Sequence, residues 1–487
     1  MESNGEPPNK APAVVTGAAA AVPGGGMDFL SRLPDHLLVD ILLRLRTKEA
    51  VATTVLSRRW RCIWAQLPHP FFDGVHPSVP ARALAAYEAL AASEAHAAAD
   101  IQSLAVSPDQ VDARETFAWL SLAAPLLCGR LHLDDSRAVS DEMVELFRGR
   151  RRRHDGEAFE MPCFRRATEI RLHLGFLTLE LPRVGVFDAL RLMRLQNFQS
   201  RGQFLISDTM LPSLQELTMS GVRDMNVLTL NSKSLVSIDL SYLMGLQRLH
   251  ITAPGLHQLE VVRCFYDSLK PVASITAERL EVFRWNGPYD LESVHLGEMP
   301  CLQTLGAPPI DTHRWRGFQM AQICAGFLGR FTAVDHLELD MTLGPRMDSS
   351  LLLMEDIVIP NVDILGLSLE TNEHAFERSV LRLLTKCHGI RELRLSFQIR
   401  DEVQNYCWPN CICHTEPGAE GVLMMALREV YIINFDGDAG EVYVVEQLLL
   451  QAPGLTVLTI ASEAEDPSLG NIESLCPADC RFELLWY

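Results

Sequence analysis

The feature that most constrains the fold is a recurring pattern, apolar-x-x-apolar-x-apolar, in the middle of the chain. Its last three positions put alternate side chains of a short strand on one face, so each copy predicts a strand that is buried on one side. The first five copies start 11, 10, 11 and 10 residues apart. The copies are LQELTM at 214, MNVLTL at 225, LVSIDL at 235, LQRLHI at 246 and LHQLEV at 256, then the looser VASITA at 272, LEVFRW at 280, LESVHL at 291 and LQTLGA at 302.

The spacing of these copies predicts stacked coils. Two half-units make about 21 residues, within the range of roughly 20–29 residues that is typical of leucine-rich repeats. The short half-period favours strands on both sides of each coil over long helices on one side. A single coil cannot bury its apolar face, whereas stacked coils form a continuous core. We therefore expect an α/β fold with a leucine-rich-repeat solenoid of strand-containing coils; the alternative is a generic leucine-rich α/β domain.

Outside this stretch the copies lie further apart. Downstream intervals of about 28 residues leave room for a helix in each coil, for example within residues 373–387. Two upstream copies fit as the first coils of the array. The copies are ATEIRL at 167 and LRLMRL at 190 upstream, and VDHLEL at 334, VDILGL at 362, IRELRL at 390, LREVYI at 427 and LTVLTI at 455 downstream.

Residues 33–64, LPDHLLVDILLRLRTKEAVATTVLSRRWRCIW, have a different pattern that predicts three short helices. Pro34 suits the first helical position, and Thr47 and Ser57 suit the caps of the second and third helices. Three short helices in about 40 residues enclose little core, so their apolar side chains must contact another domain or another protein. These side chains are Leu37, Leu38, Ile41, Leu42 and Leu45 as one stripe, then Val51, Val55, Trp60 and Trp64.

Composition narrows the classes of partner. The chain has 43 Lys and Arg against 62 Asp and Glu, a formal charge of −19. This balance argues against broad binding to nucleic-acid phosphates. The basic run at 148–153 is a nuclear-localisation signal or nucleic-acid contact in one interpretation and a solvated loop in the other. No apolar run of about 18 residues occurs, so we expect no membrane span. The twelve cysteines are spread along the chain, as expected for reduced thiols in an intracellular protein.

Residues 33–64 closely resemble an F-box, the module that binds the SKP-type adaptor of SCF ubiquitin ligases. The matching landmarks are the Leu33-Pro34 start, the Leu/Ile run to Leu45, and VLSRRWRCIW at 55–64, which is similar to plant F-box proteins. The resemblance implies an adaptor interface in place of a catalytic site, although some of its residues would face the chain's own core. The implied adaptor-binding residues are Leu33, Pro34, Leu37, Leu38, Ile41, Leu42, Val51, Val55 and Trp60.

The order of segments along the chain is similar to that of plant F-box/leucine-rich-repeat proteins with an FBD-like end. The segments are the F-box, the leucine-rich coils, and CWPNCICH followed by LREVYIINFDGDAGEVYVVEQLLLQAPGLTVLTI. The resemblance implies a non-catalytic receptor that joins a target protein to adaptor and cullin, in the cytoplasm and/or nucleus; an adaptor-binding scaffold or decoy is the alternative. The expected parts are a disordered leader (1–26), F-box (27–73), mostly helical linker entering the first coils (74–163), solenoid (164–406) and FBD-like segment with final coils and cap (407–487).

Other candidate sites have a simpler interpretation. Residue types that bind zinc occur close together at Cys407, Cys411, Cys413 and His414. Four ligands within eight residues are sterically awkward, so a loop between coils is favoured. Cys476 and Cys480 could supply a second pair, with nothing in the sequence to bring the sets together. DGDAGE at 436–441 lacks the ligand spacing of a calcium loop, which favours a turn between strand and helix. We therefore expect no catalytic residue, metal or cofactor, while a small-molecule ligand stays open.

Overall fold

The computed structural model describes residues 32–45, 47–91, 100–109, 112–135, 158–265, 270–311, 317–343, 357–371, 376–387, 389–398, 423–463, 467–469 and 471–486. These belong to two compact units, an N-terminal unit (Met1–Trp64) and a C-terminal unit (Ala65–Tyr487). Three sequence predictions lie outside the described residues: the leader at 1–26, the basic run at 148–153, and Cys407, Cys411, Cys413 and His414.

The N-terminal unit contains the three predicted short helices, α1 (Asp35–Leu42), α2 (Thr47–Ala52) and α3 (Arg58–Ile63). Ser57 caps α3 as predicted, because its hydroxyl accepts a hydrogen bond from the Trp60 amide at 3.4 Å. Helix α1 begins one residue later than predicted, with Pro34 as its N-cap. Thr47 lies inside α2 and not before it.

The C-terminal unit is rich in strands. Its strands are β1 (Phe71–Val75), β2 (Ile101–Pro108), β3 (Leu127–Asp134), β4 (Phe159–Glu160), β5 (Glu169–His173), β6 (Leu179–Glu180), β7 (Leu192–Gln196), β8 (Gln199–Ser207), β9 (Glu216–Asn231), β10 (Ser237–Leu243), β11 (Arg248–Thr252), β12 (Gln258–Val262), β13 (Val272–Thr276), β14 (Val282–Asn286), β15 (Val294–Leu296), β16 (Thr304–Gly306), β17 (Ile310–Asp311), β18 (His336–Thr342), β19 (Ile364–Glu370), β20 (Glu392–Phe397), β21 (Glu429–Ile433), β22 (Val457–Ser462) and β23 (Arg481–Trp486). Its helices are α4 (Ser78–Ala91), α5 (Ala113–Leu126), α6 (Gly317–Leu328), α7 (Glu377–Leu384), α8 (Ala439–Gln451) and α9 (Ile472–Leu475).

Most of these strands form two parallel ladders; β4 and β6 form a separate two-stranded sheet, and β17 pairs with β18. The long ladder runs from β1 through β2, β3, β5, β7, β9, β10, β12, β14, β16, β18, β19, β20, β21 and β22 to β23. The short ladder contains β8, β9, β11, β13 and β15. Strand β9 takes part in both, since its first half pairs with β10 and its second half with β11.

The connections explain why repeat spacing varies along the chain. Parallel neighbours cannot be joined by a tight turn, so the chain must cross over between them. From β9 to β15 the chain alternates between the two ladders. Near both ends of the long ladder, helices α4 to α8 lie between successive strands. The helix expected within 373–387 is α7.

The apolar positions of the repeat form the core of the C-terminal unit. In LQELTM the apolar side chains of Leu214, Leu217 and Met219 are buried, and the copies in β10, β11, β12 and β14 bury the same three positions. For two of the looser copies, the predicted burial of the first apolar position was wrong. Val272 and Leu291 are exposed, because the buried alternation of β13 begins at Ala273 and that of β15 at Val294.

The long ladder extends upstream of the first predicted coils. Residues 74–163, expected to be mostly helical, contain α4 and α5 but also β2 and β3. Helix α5 ends at Leu126 and β3 begins at the next residue. Among the described residues, no helix combines the length and apolar character that a membrane crossing requires.

Candidate functional site

Helix α1 presents apolar side chains in two directions. Leu38 and Leu42 are fully buried, whereas Leu37 and Ile41 are 40% and 38% exposed. Residues four apart lie on one face of a helix, so each pair shares a side. The sequence predicted one apolar stripe here, and the structure divides it into a buried pair and an exposed pair.

The start of α1 is held against α3 by one arginine. The guanidinium of Arg59 donates to one carboxylate oxygen of Asp35, from Nε at 2.8 Å and from Nη2 at 2.6 Å. Its Nη2 also donates to the carbonyl oxygen of Leu33. The Pro34 carbonyl accepts from the amide of Leu37 at 3.1 Å. These contacts fix the direction in which the chain enters α1, and therefore where Leu37 and Ile41 point.

Further apolar side chains are exposed in the turns of the N-terminal unit. Val55 is 82% exposed, and Leu43, Leu45 and Leu56 are exposed as well. Exposed apolar groups concentrated on a small unit are typical of surfaces that bind another protein. The N-terminal unit therefore offers the apolar side chains of an interaction surface.

No metal site is found in the part of the chain that the structure describes, where no group of three or more His, Cys, Asp and Glu side chains is placed to hold an ion. The turn predicted for DGDAGE at 436–441 covers only part of this segment: residues 436–438 lie between β21 and α8, and residues 439–441 begin α8. Asp438 caps α8 in a capping box with Glu441. The Glu441 carboxylate accepts from the amides of Asp436 at 2.8 Å and Gly437 at 2.9 Å. Glu441 is therefore a structural cap.

Glu441 is also expected to make stability depend on pH. Burial raises the pKa of its carboxyl from 4.5 to about 7, against the opposing effect of the amide donors. Because the pKa is higher in the folded state, Glu441 contributes to the free energy of unfolding in its protonated form. This contribution is fully present below the unfolded-state pKa and is lost as pH rises through about 7. The melting temperature of wild type should therefore fall, relative to Glu441→Gln, between about pH 5 and about pH 8. A difference that stays constant or grows, or a similar trend for the exposed Glu473→Gln control, would contradict this role.

A second surface lies on the polar side of the long ladder. Between the buried positions, side chains of successive strands stand in register: Asp239 on β10 beside Glu260 on β12, and Glu260 beside Arg284 on β14. Burial raises the pKa of the Asp239 and Glu260 carboxyls. This side of the ladder therefore carries partly buried charges in ordered rows.

One ion pair on this surface spans a strand. Arg284 on β14 binds both carboxylate oxygens of Glu338 on β18, at 2.5 and 2.8 Å. The strand between them, β16, places Gly306 in the same row. A Cβ at Gly306 would lie 2.8 Å from Cγ of Arg284, so the arginine can cross only because this residue is glycine. The bonds from Arg284 lower the pKa of Glu338.

Comparison with known proteins identifies the N-terminal segment. Residues 30–71 match the family model of the F-box domain. The chain is an F-box protein. Its resemblance to plant F-box/leucine-rich-repeat proteins is confirmed by relatives from Arabidopsis thaliana. It is 35% identical over 119 residues to "F-box/LRR-repeat protein At1g55660", 38% over 103 residues to "Putative F-box/FBD/LRR-repeat protein At4g00315", and 25% over 291 residues to "Putative F-box/FBD/LRR-repeat protein At4g03220".

These matches cover 23%, 20% and 57% of this F-box protein, and 31%, 23% and 55% of the respective relatives. The chain therefore spans between about a quarter and about half of the length of each of these three relatives. No solved structure gives a significant match to the chain.

The structure divides the nine predicted contact residues of the F-box by accessibility. Leu38, Leu42 and Trp60 are buried, so they support the helices from inside. Leu33 and Val51 are half-buried. Those exposed to solvent are Pro34, Leu37, Ile41 and Val55. Leu43, Leu45 and Leu56 are exposed apolar residues of the same unit that were not among the predicted contact residues.

Proposed function

We propose that this F-box protein is the substrate-recognition subunit of an SCF-type E3 ubiquitin ligase. Its F-box docks on a SKP-type adaptor, which connects it to the cullin. The observation that supports this most is the F-box domain at 30–71, with Leu37 and Ile41 on the exposed side of a helix whose other side is buried. The interface would bury these side chains in an apolar groove of the adaptor.

The C-terminal unit has the properties expected of the target-binding part. Its two parallel ladders, with the repeat positions buried, support a leucine-rich-repeat solenoid as the fold of this region. We place the solenoid at 164–406 and an FBD-like end at 407–487, with β1 to β3 as additional strands of the same ladder. The polar side chains between the buried positions of the long ladder offer a surface along which an extended target would lie.

The mechanism of such a receptor is proximity and not catalysis by its own residues. Holding a target lysine beside the charged conjugating enzyme converts a bimolecular encounter into an effectively intramolecular one. The chain itself then needs neither cofactor nor metal. The cytoplasm and nucleus, where SCF ligases act, are the proposed compartments.

Co-purification of the full chain with a SKP-type adaptor tests the docking step. Wild type should bind, and a Leu33→Ala/Pro34→Ala variant should bind more weakly, because it removes the half-buried side chain of Leu33 and the exposed ring of Pro34 from the proposed interface. Equal binding by wild type and variant would refute the interface. Reconstitution with cullin and ubiquitin-loaded conjugating enzyme then separates a ligase receptor from a scaffold or decoy, since only the receptor promotes ubiquitin transfer.

A further inference from the structure

The polar side of the long ladder contains a hollow of about 260 Å³ over strands β18, β19 and β20. The hollow is open at its centre because Gly366 and Ser368 of β19 and Ser396 of β20 are small. The in-register row of Asp340, Ser368, Ser396 and Ile433 forms one side. Pockets for drug-sized ligands are usually about 300–1,000 Å³, so this hollow suits a smaller group, such as one side chain.

The hollow collects hydrogen-bond acceptors. Asp340 is exposed to it and has no hydrogen bond or salt bridge among the residues that the structure describes. His336 Nε2 lies close above Gly366, since a Cβ there would be 3.3 Å away. This nitrogen is shielded from solvent and has no hydrogen-bond partner within the described ranges. A neutral imidazole can accept a hydrogen bond at this atom.

The neighbouring charges decide which ligand these acceptors favour. On the opposite wall, Arg394 is occupied by Glu392, with Nε to Oε1 at 2.6 Å. Glu338 is occupied by Arg284. Asp340 is the other carboxylate that lines the hollow, and among the described residues it has no directly bonded cation. The negative charge of Glu338 disfavours the charged form of Asp340, whereas the positive charge of Arg263 favours it. Burial and Glu338 raise the pKa of Asp340, so a cationic donor would favour the charged form of this carboxylate.

We propose that this hollow is a specificity pocket that receives a lysine or arginine side chain from an extended segment of the target protein. The cationic head would donate to Asp340, while its methylene stem passes over Ser368 and Ser396 toward Ile433 in the same row. Ile433 suits the stem because it is an exposed apolar side chain that lines the hollow. The inference rests on the proposed function, since it names the chemistry of the partner that the ladder would hold.

Selection of random extended peptides displayed on phage, using the immobilised full chain, tests this pocket. Wild type should enrich peptides that share a Lys or Arg, and replacement of that residue by Gln should weaken binding. Those peptides should bind Asp340→Asn about two- to fivefold more weakly, as expected for loss of one charge contact at an exposed carboxylate. Ser368→Leu, which fills the hollow without changing charge, should have a similar effect.

Asp479→Asn is the matched control, because it removes the same charge from an exposed turn before β23. Its affinity for the selected peptides should equal that of wild type. Enrichment of peptides without a basic residue, no enrichment, or unchanged binding by Asp340→Asn would each overturn the proposal. Adaptor co-purification with the same preparations reports separately on the proposed function, since Asp340 lies outside the F-box.

Discussion

Replacing both Leu37 and Ile41 by aspartate should abolish adaptor binding while leaving the protein folded. Both side chains are exposed on α1, so in the free chain their replacement exposes no core and creates no cavity. In the complex, two carboxylates would have to be desolvated without partners. Loss of two central apolar contacts of this kind weakens binding by at least about 100-fold, or about 3 kcal/mol. Titration of the adaptor by calorimetry or surface plasmon resonance measures the loss.

A matched control separates a lost interface from a general effect of added charge. Val184→Asp introduces aspartate at an apolar residue that is 87% exposed in the C-terminal unit, and its adaptor affinity should equal that of wild type. Far-ultraviolet circular dichroism should be unchanged for both variants. Unimpaired adaptor binding by the Leu37/Ile41 variant would show that the adaptor uses another surface.

Trp285→Ala should strongly destabilise the C-terminal unit. Trp285 lies on β14, is buried, stacks on Phe265 at 5.6 Å and meets Phe283 at 6.2 Å. Its indole nitrogen donates to the Pro288 carbonyl oxygen at 3.0 Å. Truncation leaves a large cavity in this aromatic cluster and an unpaired carbonyl, and substitutions of this type cost about 3–5 kcal/mol.

The denaturant midpoint, followed by circular dichroism, measures this effect. Trp486→Ala is the control, since it makes the same substitution on β23 at a side chain that is 53% exposed. The control should cost less than about 1 kcal/mol. Equal midpoints for the two variants would mean that the aromatic cluster does not stabilise the ladder.

Most of the strand positions could be predicted because repeated copies report on the same environment. In the copy at 235, Leu235, Ile238 and Leu240 are all buried as the template requires. A short-period alternation has no other stable arrangement than a strand with one buried face. The template failed at Val272 because one apolar residue outside the alternation cannot be distinguished from one inside it by pattern alone.

The candidate surfaces were less predictable than the core. Leu37 and Leu38 are adjacent, equally apolar residues of one helix, yet one is exposed and the other is buried. Which side of a helix is covered depends on the elements packed against it, and these elements cannot be identified from the sequence of the helix alone. Likewise Arg284 and Glu338 are 54 residues apart, and only the glycine between them in space allows their contact.

The sequence by itself therefore determined the F-box, the repeat period and the side chains that form the core, since each depends on local periodicity or on a contiguous motif. Tertiary structure alone decided which F-box leucines are accessible, how far upstream the ladder extends, and where small residues open a hollow beside Asp340. The physical reason is distance along the chain. Burial pattern within a strand is set by neighbouring residues, whereas a surface is assembled by register between strands that lie 20 or more residues apart, as Glu338, Gly366 and Arg394 do.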